Sequence, residues 1–371
     1  MSNLDWFVLI FTLLFIVIYG VWKTRGAQNL QSYLKGDNDA KWWGIGISIM
    51  ATQASAITFL STPGQAYSDG MRFIQFYFGL PIAMIILSVT FLPIFYKLKV
   101  FTAYEYLESR FDLKTRLLAA LLFLLQRGLA AGITIYAPSI ILSTLLGWNL
   151  NWTNIFIGSL VILYTVSGGT KAVTQTQKQQ MAVMMGGMIL AGIIVVNMLP
   201  KEISFIDALH IAGKMEKLNL INFDFDLNDR YNFWTGTTAA LFLFLSYFGT
   251  DQSQVQRYLT GKSLSQSRLG LVMNGLLKIP MQFIILFIGV MVFVFYQFNT
   301  PPVFFNKVEL NKVKQSSYYS NIQLLEENFE TLHTKRAVDI FKMLEAQKLS
   351  NNEEVLQLQK NIKLTTQKIE Y

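Results

Sequence analysis

Long apolar runs, separated by short polar connections, occupy the chain from its first residues to about residue 300. An α-helix needs ~20 consecutive apolar residues to cross the hydrocarbon core of a bilayer. Eight runs reach or approach this length, and we predict membrane spans at 4–22, 42–61, 73–96, 115–146, 152–167, 180–199, 234–256 and 274–298. The pattern predicts an all-α, polytopic membrane protein with a transmembrane domain over residues 1–300.

The second run contains a polar insert where a lipid-facing helix would carry Leu and Ile. Its sequence over 51–58 is Ala-Thr-Gln-Ala-Ser-Ala-Ile-Thr. Because backbone in hydrocarbon must satisfy its own hydrogen bonds, such a segment is tolerated only where it faces protein or a watery cavity. We therefore predict that the second span is an interrupted helix that lines a hydrated solute site.

The remainder of the chain, 301–371, has a different pattern. From Lys307 onward it is rich in Lys, Glu, Gln and Asn, and its apolar residues recur at helical spacing, as at Ile340, Phe341 and Leu344. This spacing predicts amphipathic helices. We expect a polar helical tail outside the membrane, on the extracellular or periplasmic side.

Basic residues accumulate in alternate connections, and this asymmetry predicts the orientation of a membrane protein. The basic connections hold Lys23, Arg25, Lys35 and Lys41; Lys97, Lys99, Arg110, Lys114 and Arg116; Lys171 and Lys178; and Arg257, Lys262 and Arg268. The other short connections hold only Arg72. We predict a multi-pass protein of the cell membrane with its N-terminus outside. No basic residue precedes the first run, which favours a retained span over a cleaved signal peptide.

Composition narrows the possible classes of protein. The mean hydropathy of +0.37, with 52% hydrophobic and 15% charged residues, is too apolar for one soluble core. The net charge of +8 is spread over short loops rather than gathered in one patch, so we expect no nucleic-acid partner. The absence of Cys excludes disulfides, zinc–thiolate sites and thiol nucleophiles. His210 and His333 lie far apart, no catalytic constellation stands out, and we do not expect an enzyme.

Arg127 lies in the middle of the fourth run, between Gln126 and Gly128. A central arginine costs ~2.5–3.5 kcal/mol on insertion scales, so it should face other helices or reach water. We expect it to contact helix-end carbonyls or an acidic partner, with binding of a solute anion as the alternative. Gly128 and Gly132 form a Gly-x-x-x-Gly pattern that we interpret as a packing face.

Two further charged residues lie near the inner ends of predicted spans. Asp251, six residues before Arg257, is a candidate for an inner gate or a solute path, and a local ion pair is the simpler alternative. Lys278 is a candidate solute ligand, with snorkelling of its ammonium group to the interface as the alternative.

Side chains beside the predicted interruption are candidate ligands. They are Gln53, Ser55 and Thr58, whose polar groups can meet a solute or a cation. The alternative is that these side chains let two helices approach closely. Phe76 belongs to an aromatic group at the start of the third run. Its ring is predicted either to cover a bound solute or to anchor the helix at the membrane interface.

Several segments resemble the sodium:solute symporter family in the order in which that family carries them. They are 55–64 with Tyr67, 92–96 followed by 102–111, 136–139, 168–173 and 251–258. The first of these is most similar to the monocarboxylate, multivitamin and iodide branch. The resemblance covers roughly residues 30–280.

This resemblance implies an inverted-repeat fold of the leucine-transporter type, with a ten-helix core and one extra helix in front. On that template the first predicted span is the extra helix, spans two to six form the first repeat, and spans seven and eight begin the second. Three core helices of the second repeat are then absent, so the resemblance implies an incomplete second repeat and the missing helices as partners.

The resemblance also implies a sodium site. The backbone carbonyls of Ala51 and Ala54 match half of it, and hydroxyl groups on the absent eighth core helix would supply the rest. Gln53 lies where some members have Asn or Asp. Gln177 lies where many have Asp, which argues against a second sodium. Lys278 resembles a lysine of sugar carriers.

Together these observations predict sodium-coupled secondary transport of a small organic solute or anion by alternating access. Na⁺ is the expected coupling ion, and the lipid bilayer and a small-molecule solute are the expected partners. One alternative is a symporter-like sensory input module. The other is a non-transporting membrane remnant or scaffold.

Overall fold

Helices make up nearly all of the computed structural model. The structure describes residues 3–23, 39–55, 57–304 and 307–370. Within these ranges some side chains, mainly over 163–172, are not described. The described residues contain no β-strand, and one isolated parallel bridge joins Ala40 and Gly261. The prediction of an all-α protein is confirmed.

The α-helices are α1 Asn3–Lys23, α2 Trp42–Gln53, α3 Thr62–Asp69, α4 Gly79–Val89, α5 Phe91–Leu98, α6 Ala103–Arg110, α7 Leu113–Leu146, α8 Leu150–Asn197, α9 Phe205–Lys214, α10 Phe233–Thr250, α11 Gln252–Leu259, α12 Leu264–Phe298, α13 Lys307–Lys314, α14 Tyr319–Lys348 and α15 Asn352–Glu370. A π-helical segment, Ile57–Ser61, precedes α3, and a 3₁₀ segment, Gly70–Phe78, follows it.

These helices belong to two compact units. The first unit comprises Met1–Ser61, Phe73–Gly187 and Ile221–Phe283, and the second comprises Thr62–Arg72, Met188–Leu220 and Ile284–Tyr371.

The core of the first unit lies where α4 packs against α10. Buried apolar side chains from α2, α4, α5, α10, α11 and α12 form one cluster, which includes Ile49, Leu80, Met84, Leu87, Phe244, Phe248 and Leu271. The two helices approach closely at Gly79, where an added Cβ atom would lie 2.6 Å from the carbonyl oxygen of Thr237. Small residues allow this kind of close helix packing in membrane proteins.

Local signals explain the bounds of α7. Asp112 caps its N-terminus by accepting a hydrogen bond from the backbone N–H of Thr115 at 2.7 Å. Gly147 ends it with a left-handed φ of +70°, a conformation that glycine adopts without steric cost. The helix therefore coincides closely with the predicted fourth span.

The Gly-x-x-x-Gly interpretation in α7 is wrong for the described part of the chain. An added Cβ atom at Gly128 or Gly132 would have no heavy atom within 4 Å. Among the described residues of this helix, only Ser139 is buried. The two glycines therefore make no close helix contact.

The predicted connection between the fifth and sixth spans is also wrong as secondary structure. One helix, α8, runs through Leu150–Asn197 without a break. The polar stretch at its centre contains Lys and Gln, which favour helix, and no Pro. At about 1.5 Å per residue, its 48 residues extend well beyond the ~30 Å hydrocarbon core, so α8 is not a single simple span.

Four helical stretches of the described residues are long and apolar enough to cross a membrane. They are Ile57–Leu98, Leu113–Leu146, Thr176–Asn197 and Leu264–Phe298. Shorter apolar stretches occur at Asn3–Thr12 and Leu150–Ile162. The total of eight spans stays a prediction.

The second unit contains an antiparallel hairpin made by α14 and α15. Ile340, Met343 and Leu344 of α14 are buried, as are Val355 and Ile362 of α15. The predicted tail is thus helical in the described residues. Its place outside the membrane stays a prediction.

The hairpin is attached to α9 by polar contacts. Lys348 lies 3.7 Å from Asp207, and the side-chain amide of Gln359 donates a hydrogen bond to the carbonyl of Lys214 at 2.9 Å. Asp207 also forms a capping box with Ser204 at the start of α9. One carboxylate therefore serves both the helix start and the hairpin contact.

Acid should weaken this attachment. Burial alone would raise the pKa of Asp207, but hydrogen bonds from Ser204 and the positive charge of Lys348 outweigh burial and hold the pKa below its usual value. Because the folded pKa lies below the unfolded value of about 3.9, the contribution to stability is present above that pH and is lost as pH falls through the folded pKa. We expect Asp207→Asn to lower the free energy of unfolding at neutral pH by about 0.5–2 kcal/mol, the usual scale of a helix cap.

Thermal unfolding at a series of pH values tests this prediction. The stability of Asp207→Asn should fall less than that of the wild type between about pH 5 and pH 3. Glu345→Gln, which removes one negative charge from an exposed position of α14, is the matched control. Equal pH dependence of the wild type and Asp207→Asn would contradict the assignment.

Candidate solute and cation site

The second predicted span is interrupted, as its polar insert predicts. Helix α2 ends at Gln53, and Ala54 is extended, with φ −77° and ψ 102°. Helical structure resumes as the π segment Ile57–Ser61 and then as α3. Ser and Thr side chains compete for backbone hydrogen bonds, which weakens helix at this point.

The interruption leaves backbone oxygens without helical partners. The last four carbonyls of an α-helix have no N–H group one turn further on. Ala54 donates its N–H to Met50 at 2.8 Å, and α2 goes no further. The carbonyl of Ala51 therefore lies in the terminal turn, and that of Ala54 lies in the break itself. Carbonyl oxygens are suitable ligands for a hard cation.

Three predicted polar residues flank the break in the first unit. Gln53 and Ser55 are half-buried, and Thr58 is buried. The side-chain oxygen of Gln53 is buried and has no hydrogen-bond partner among the described residues. A buried oxygen without a donor is costly unless a ligand or water supplies one. Gln53 is thus a possible ligand of a solute or cation.

Gln177 joins α8 to the last turns of α2. Its side-chain oxygen accepts a hydrogen bond from the hydroxyl of Ser48 at 2.8 Å, and its NH₂ group donates to the hydroxyl of Thr52 at 2.8 Å. Thr52 in turn donates to the carbonyl of Ser48 at 2.8 Å. An amide can donate and accept at once, whereas an ionised carboxylate can only accept. Ser48 and Thr52 were not predicted, although their i, i+4 spacing on a helix was a usable signal.

Phe76 lies in an aromatic cluster of the first unit. Its ring stacks on Phe73 with centroids 5.5 Å apart and meets Phe244 edge-on at 5.5 Å. Phe73 also meets Tyr77 and Tyr231. The structure places Phe76 in packing contacts, and its role toward a solute stays a prediction.

Asp251 lies at the junction of α10 and α11. It caps α11 by accepting a hydrogen bond from the backbone N–H of Ser253 at 2.8 Å. Its other oxygen lies 3.6 Å from Arg127, so the acidic partner expected for that arginine is present. Asp251 thus takes part in an ion pair, as the simpler alternative expects, and its partner among the described residues is Arg127 rather than the nearby Arg257.

Lys278 is buried, which excludes snorkelling within this structure. Its side chain is 1% exposed, and its ammonium group has no hydrogen-bond partner among the described residues. Asn274 and Gln282, at 0% exposure, lie on the same face of α12 at i−4 and i+4. We call Asn274, Lys278 and Gln282 the α12 polar stripe. Each has at least one buried polar atom without a partner in the described chain.

The described residues contain no group of three or more His, Cys, Asp or Glu that could hold a metal ion. Any cation held near the break would therefore rely on backbone carbonyls, hydroxyls and amides. That donor set suits a weakly bound monovalent cation better than a transition metal.

An interrupted apolar helix and buried polar groups in neighbouring apolar helices together define a helical membrane protein with polar groups enclosed among its apolar helices. The profile of the sodium:solute symporter family matches residues 33–325. The chain belongs to that family. It is a membrane protein. The family consists of transporters and not of enzymes, as predicted.

Several relatives are similar over most of this chain. Sodium-coupled monocarboxylate transporter 1 of Xenopus laevis is 32% identical over 274 residues, which are 72% of this chain and 44% of the relative. The sodium/iodide cotransporter of Homo sapiens is 32% identical over 297 residues, which are 77% of this chain and 45% of that protein. A putative sodium-dependent multivitamin transporter of Drosophila melanogaster is 30% identical over 270 residues, 72% of this chain and 44% of the relative.

A solved structure supports the fold. The substrate-bound outward-open state of a Na⁺-coupled sialic acid symporter superposes with a TM-score of 0.74 at 27% identity, covering 83% of this chain and 65% of that one. The inverted-repeat symporter fold that the resemblance implied is thereby confirmed. This chain spans less than half the length of the curated relatives described above.

Proposed function

We propose that this chain takes part in sodium-coupled secondary transport of a small organic solute or anion by alternating access. The interruption of the helix at Ala54 carries this proposal. It frees backbone carbonyl oxygens next to the hydroxyl groups of Ser55 and Thr58, whereas an unbroken helix would keep those carbonyls in its own hydrogen bonds. Sodium binding would favour one conformation, and the solute would then permit exchange to the other.

For sodium, we propose that the carbonyls of Ala51 and Ala54 are ligands. A hard cation must replace most of its hydration shell with oxygen atoms, and two carbonyls alone do not suffice. We propose that further oxygen ligands come from helices beyond those of this chain. The sodium gradient would supply the driving force. The residues of this chain would position the ion and exclude water from it.

For the solute, we propose contacts with Gln53, Ser55 and Thr58 and an aromatic boundary at Phe76. The ammonium group of Lys278 favours an anionic solute, because an unpaired buried cation is stabilised by a negative partner. The iodide and monocarboxylate transporters among the relatives are consistent with an anion. Asp251, paired with Arg127, is proposed as part of the inner gate.

We further propose that the N-terminus and residues 301–371 lie outside the cell. The alternation of basic and basic-poor connections supports this orientation. Protease treatment of right-side-out vesicles should then cleave within 301–371. Cleavage confined to inside-out vesicles would reverse the assignment.

Uptake into proteoliposomes with an inward sodium gradient tests the proposed transport. The samples are this chain and any longer chain that its genomic reading frame encodes, with iodide and small monocarboxylates as labelled solutes. We expect uptake to require the gradient in at least one sample. Absence of gradient-driven uptake in both would overturn the proposal.

Ser55→Leu tests the placement of the site. A bulky apolar side chain beside the break should displace solute or cation, and we expect uptake to fall at least tenfold with membrane insertion intact. Ser159→Leu, at an exposed position of α8, is the matched control and should keep its uptake. Undiminished uptake by Ser55→Leu would show that the site lies elsewhere.

A further inference from the structure

Arg257 is a buried cation without a counterion in the described chain. Its residue is 9% exposed, and its Nε and Nη1 atoms are buried without hydrogen-bond partners among the described residues. A guanidinium group carries five N–H donors in a rigid fork that matches planar or spherical anions. Leaving such donors unsatisfied in the interior is unfavourable, so an additional acceptor at this place is physically reasonable.

A second guanidinium group lies close by. Arg127 pairs with Asp251 at the N-terminus of α11, the helix that also carries Arg257. Among the described residues, the carboxylate that pairs with Arg127 is that of Asp251, at 3.6 Å. The other oxygen of Asp251 already accepts hydrogen bonds from the backbone and hydroxyl groups of Ser253. The described chain thus supplies one partly committed carboxylate for Arg127 and no ion pair for Arg257.

A neutral donor adjoins the same cluster. The side-chain amide of Gln254 donates to the hydroxyl oxygen of Tyr247 at 2.7 Å. That hydroxyl oxygen is an acceptor in this bond, so the O–H of Tyr247 remains free to donate elsewhere. The side chain of Arg127 also reaches this hydroxyl. Gln254 and Arg257 lie three residues apart on α11 and therefore on one face of it. The donors of Arg257 and Tyr247 thus lie along the same helix whose N-terminus Arg127 contacts.

We propose that Arg127, Arg257 and Tyr247 form a binding site for one small monovalent anion, either a halide or a short carboxylate. The bound anion balances the excess positive charge and accepts hydrogen bonds from the two guanidinium groups. This site is distinct from the α12 polar stripe and from the helix break at Ala54. It does not depend on the transport proposed above, because anion binding requires neither a sodium gradient nor a solute.

Thermal unfolding of the purified full chain in detergent tests the site. Chloride is titrated against gluconate at constant sodium concentration and ionic strength, and acetate replaces chloride in a parallel series. A ligand that binds only the folded state raises the unfolding temperature with a saturable concentration dependence. We expect saturation with at least one of the two anions, and the series that saturates distinguishes halide from carboxylate. Absence of saturation with both would overturn the proposal.

Two variants should act in opposite directions. Arg257→Gln should weaken the apparent anion affinity at least tenfold. Asp251→Asn keeps a helix-capping side chain but removes the competing negative charge, so it should tighten the affinity by a factor of about ten or more. If Arg257→Gln does not fold, Asp251→Asn decides the question alone, since a purely structural role predicts no tightening.

The matched control is Arg268→Gln. Arg268 lies in α12, and its Nε atom donates to the carbonyl of Ser88 at 2.9 Å. This substitution also removes one positive charge from the first unit and should leave the anion affinity within about twofold of the wild type. An equal loss in Arg257→Gln and Arg268→Gln, or weaker binding in Asp251→Asn, would contradict the assignment.

Discussion

Lys278→Met is expected to raise the thermal stability of the protein and to abolish solute uptake. The ammonium group of Lys278 is buried and has no partner in the described chain, so the folded state carries its desolvation cost. Methionine has a similar length and places no charge in the interior. Removing one unsatisfied buried polar group should increase the free energy of unfolding by about 1–3 kcal/mol.

The same substitution removes the positive charge proposed to hold an anionic solute. Stability and activity should therefore change in opposite directions, as at sites where a binding group is kept at the expense of stability. Chemical unfolding and sodium-driven uptake measure the two effects. Lys97→Met, at an exposed position of α5, is the matched control and should change neither by much.

Two results would contradict this interpretation of Lys278. A marked loss of stability in Lys278→Met, with Lys97→Met unaffected, would show that the ammonium group has a structural partner. Uptake that survives the substitution would show that the charge does not contact the solute.

Gly79→Ala is expected to destabilise the first unit strongly for so small a change. The added Cβ atom would lie 2.6 Å from the carbonyl oxygen of Thr237 and 2.7 Å from the backbone nitrogen of Leu241. Both contacts are backbone atoms of α10, so relief requires α4 and α10 to separate. Overpacking of this kind costs about 1–3 kcal/mol, which exceeds the ~1 kcal/mol that alanine gains over glycine in helix propensity.

Gly128→Ala provides a control of opposite sign. A Cβ atom there would have no heavy atom within 4 Å, so only the gain in helix propensity remains. We expect this variant to be neutral or more stable than the wild type in the same unfolding measurement. A Gly79→Ala variant as stable as Gly128→Ala would show that α4 and α10 are not in close backbone contact.

The interruption of the second span could be predicted because its cause is local. Small and hydroxylated residues at 51–58 lie inside an apolar run, and membrane depth makes such a pattern meaningful. The partner of Arg127 could be predicted in kind for a related reason, since a charge at that depth requires an opposite charge or water. Which carboxylate it would be depends on where α7 lies relative to the junction of α10 and α11, and that is set by tertiary structure.

Other features depend on tertiary packing and escaped prediction. A polar stretch between two apolar runs predicts a connection, yet its Lys and Gln residues also favour helix, and α8 continues through it. The burial of Lys278 follows from how α12 packs within the first unit. Asn274 and Gln282, four residues on either side of it, give a helical period that the sequence also carries.

The hydrogen bonds of Gln177 have a consequence for how the protein responds to membrane voltage. An electric field does work on a conformational change only when charge moves along it, at about 2.3 kcal/mol per elementary charge and 100 mV. Gln177, Ser48 and Thr52 carry no net charge, so breaking their bonds transfers no gating charge. Breaking these hydrogen bonds should therefore add no voltage dependence of its own. Any voltage dependence of a separation of α2 from α8 would come from charged neighbours such as Lys178, whose ammonium group lies 4.9 Å from the ring centroid of Trp43.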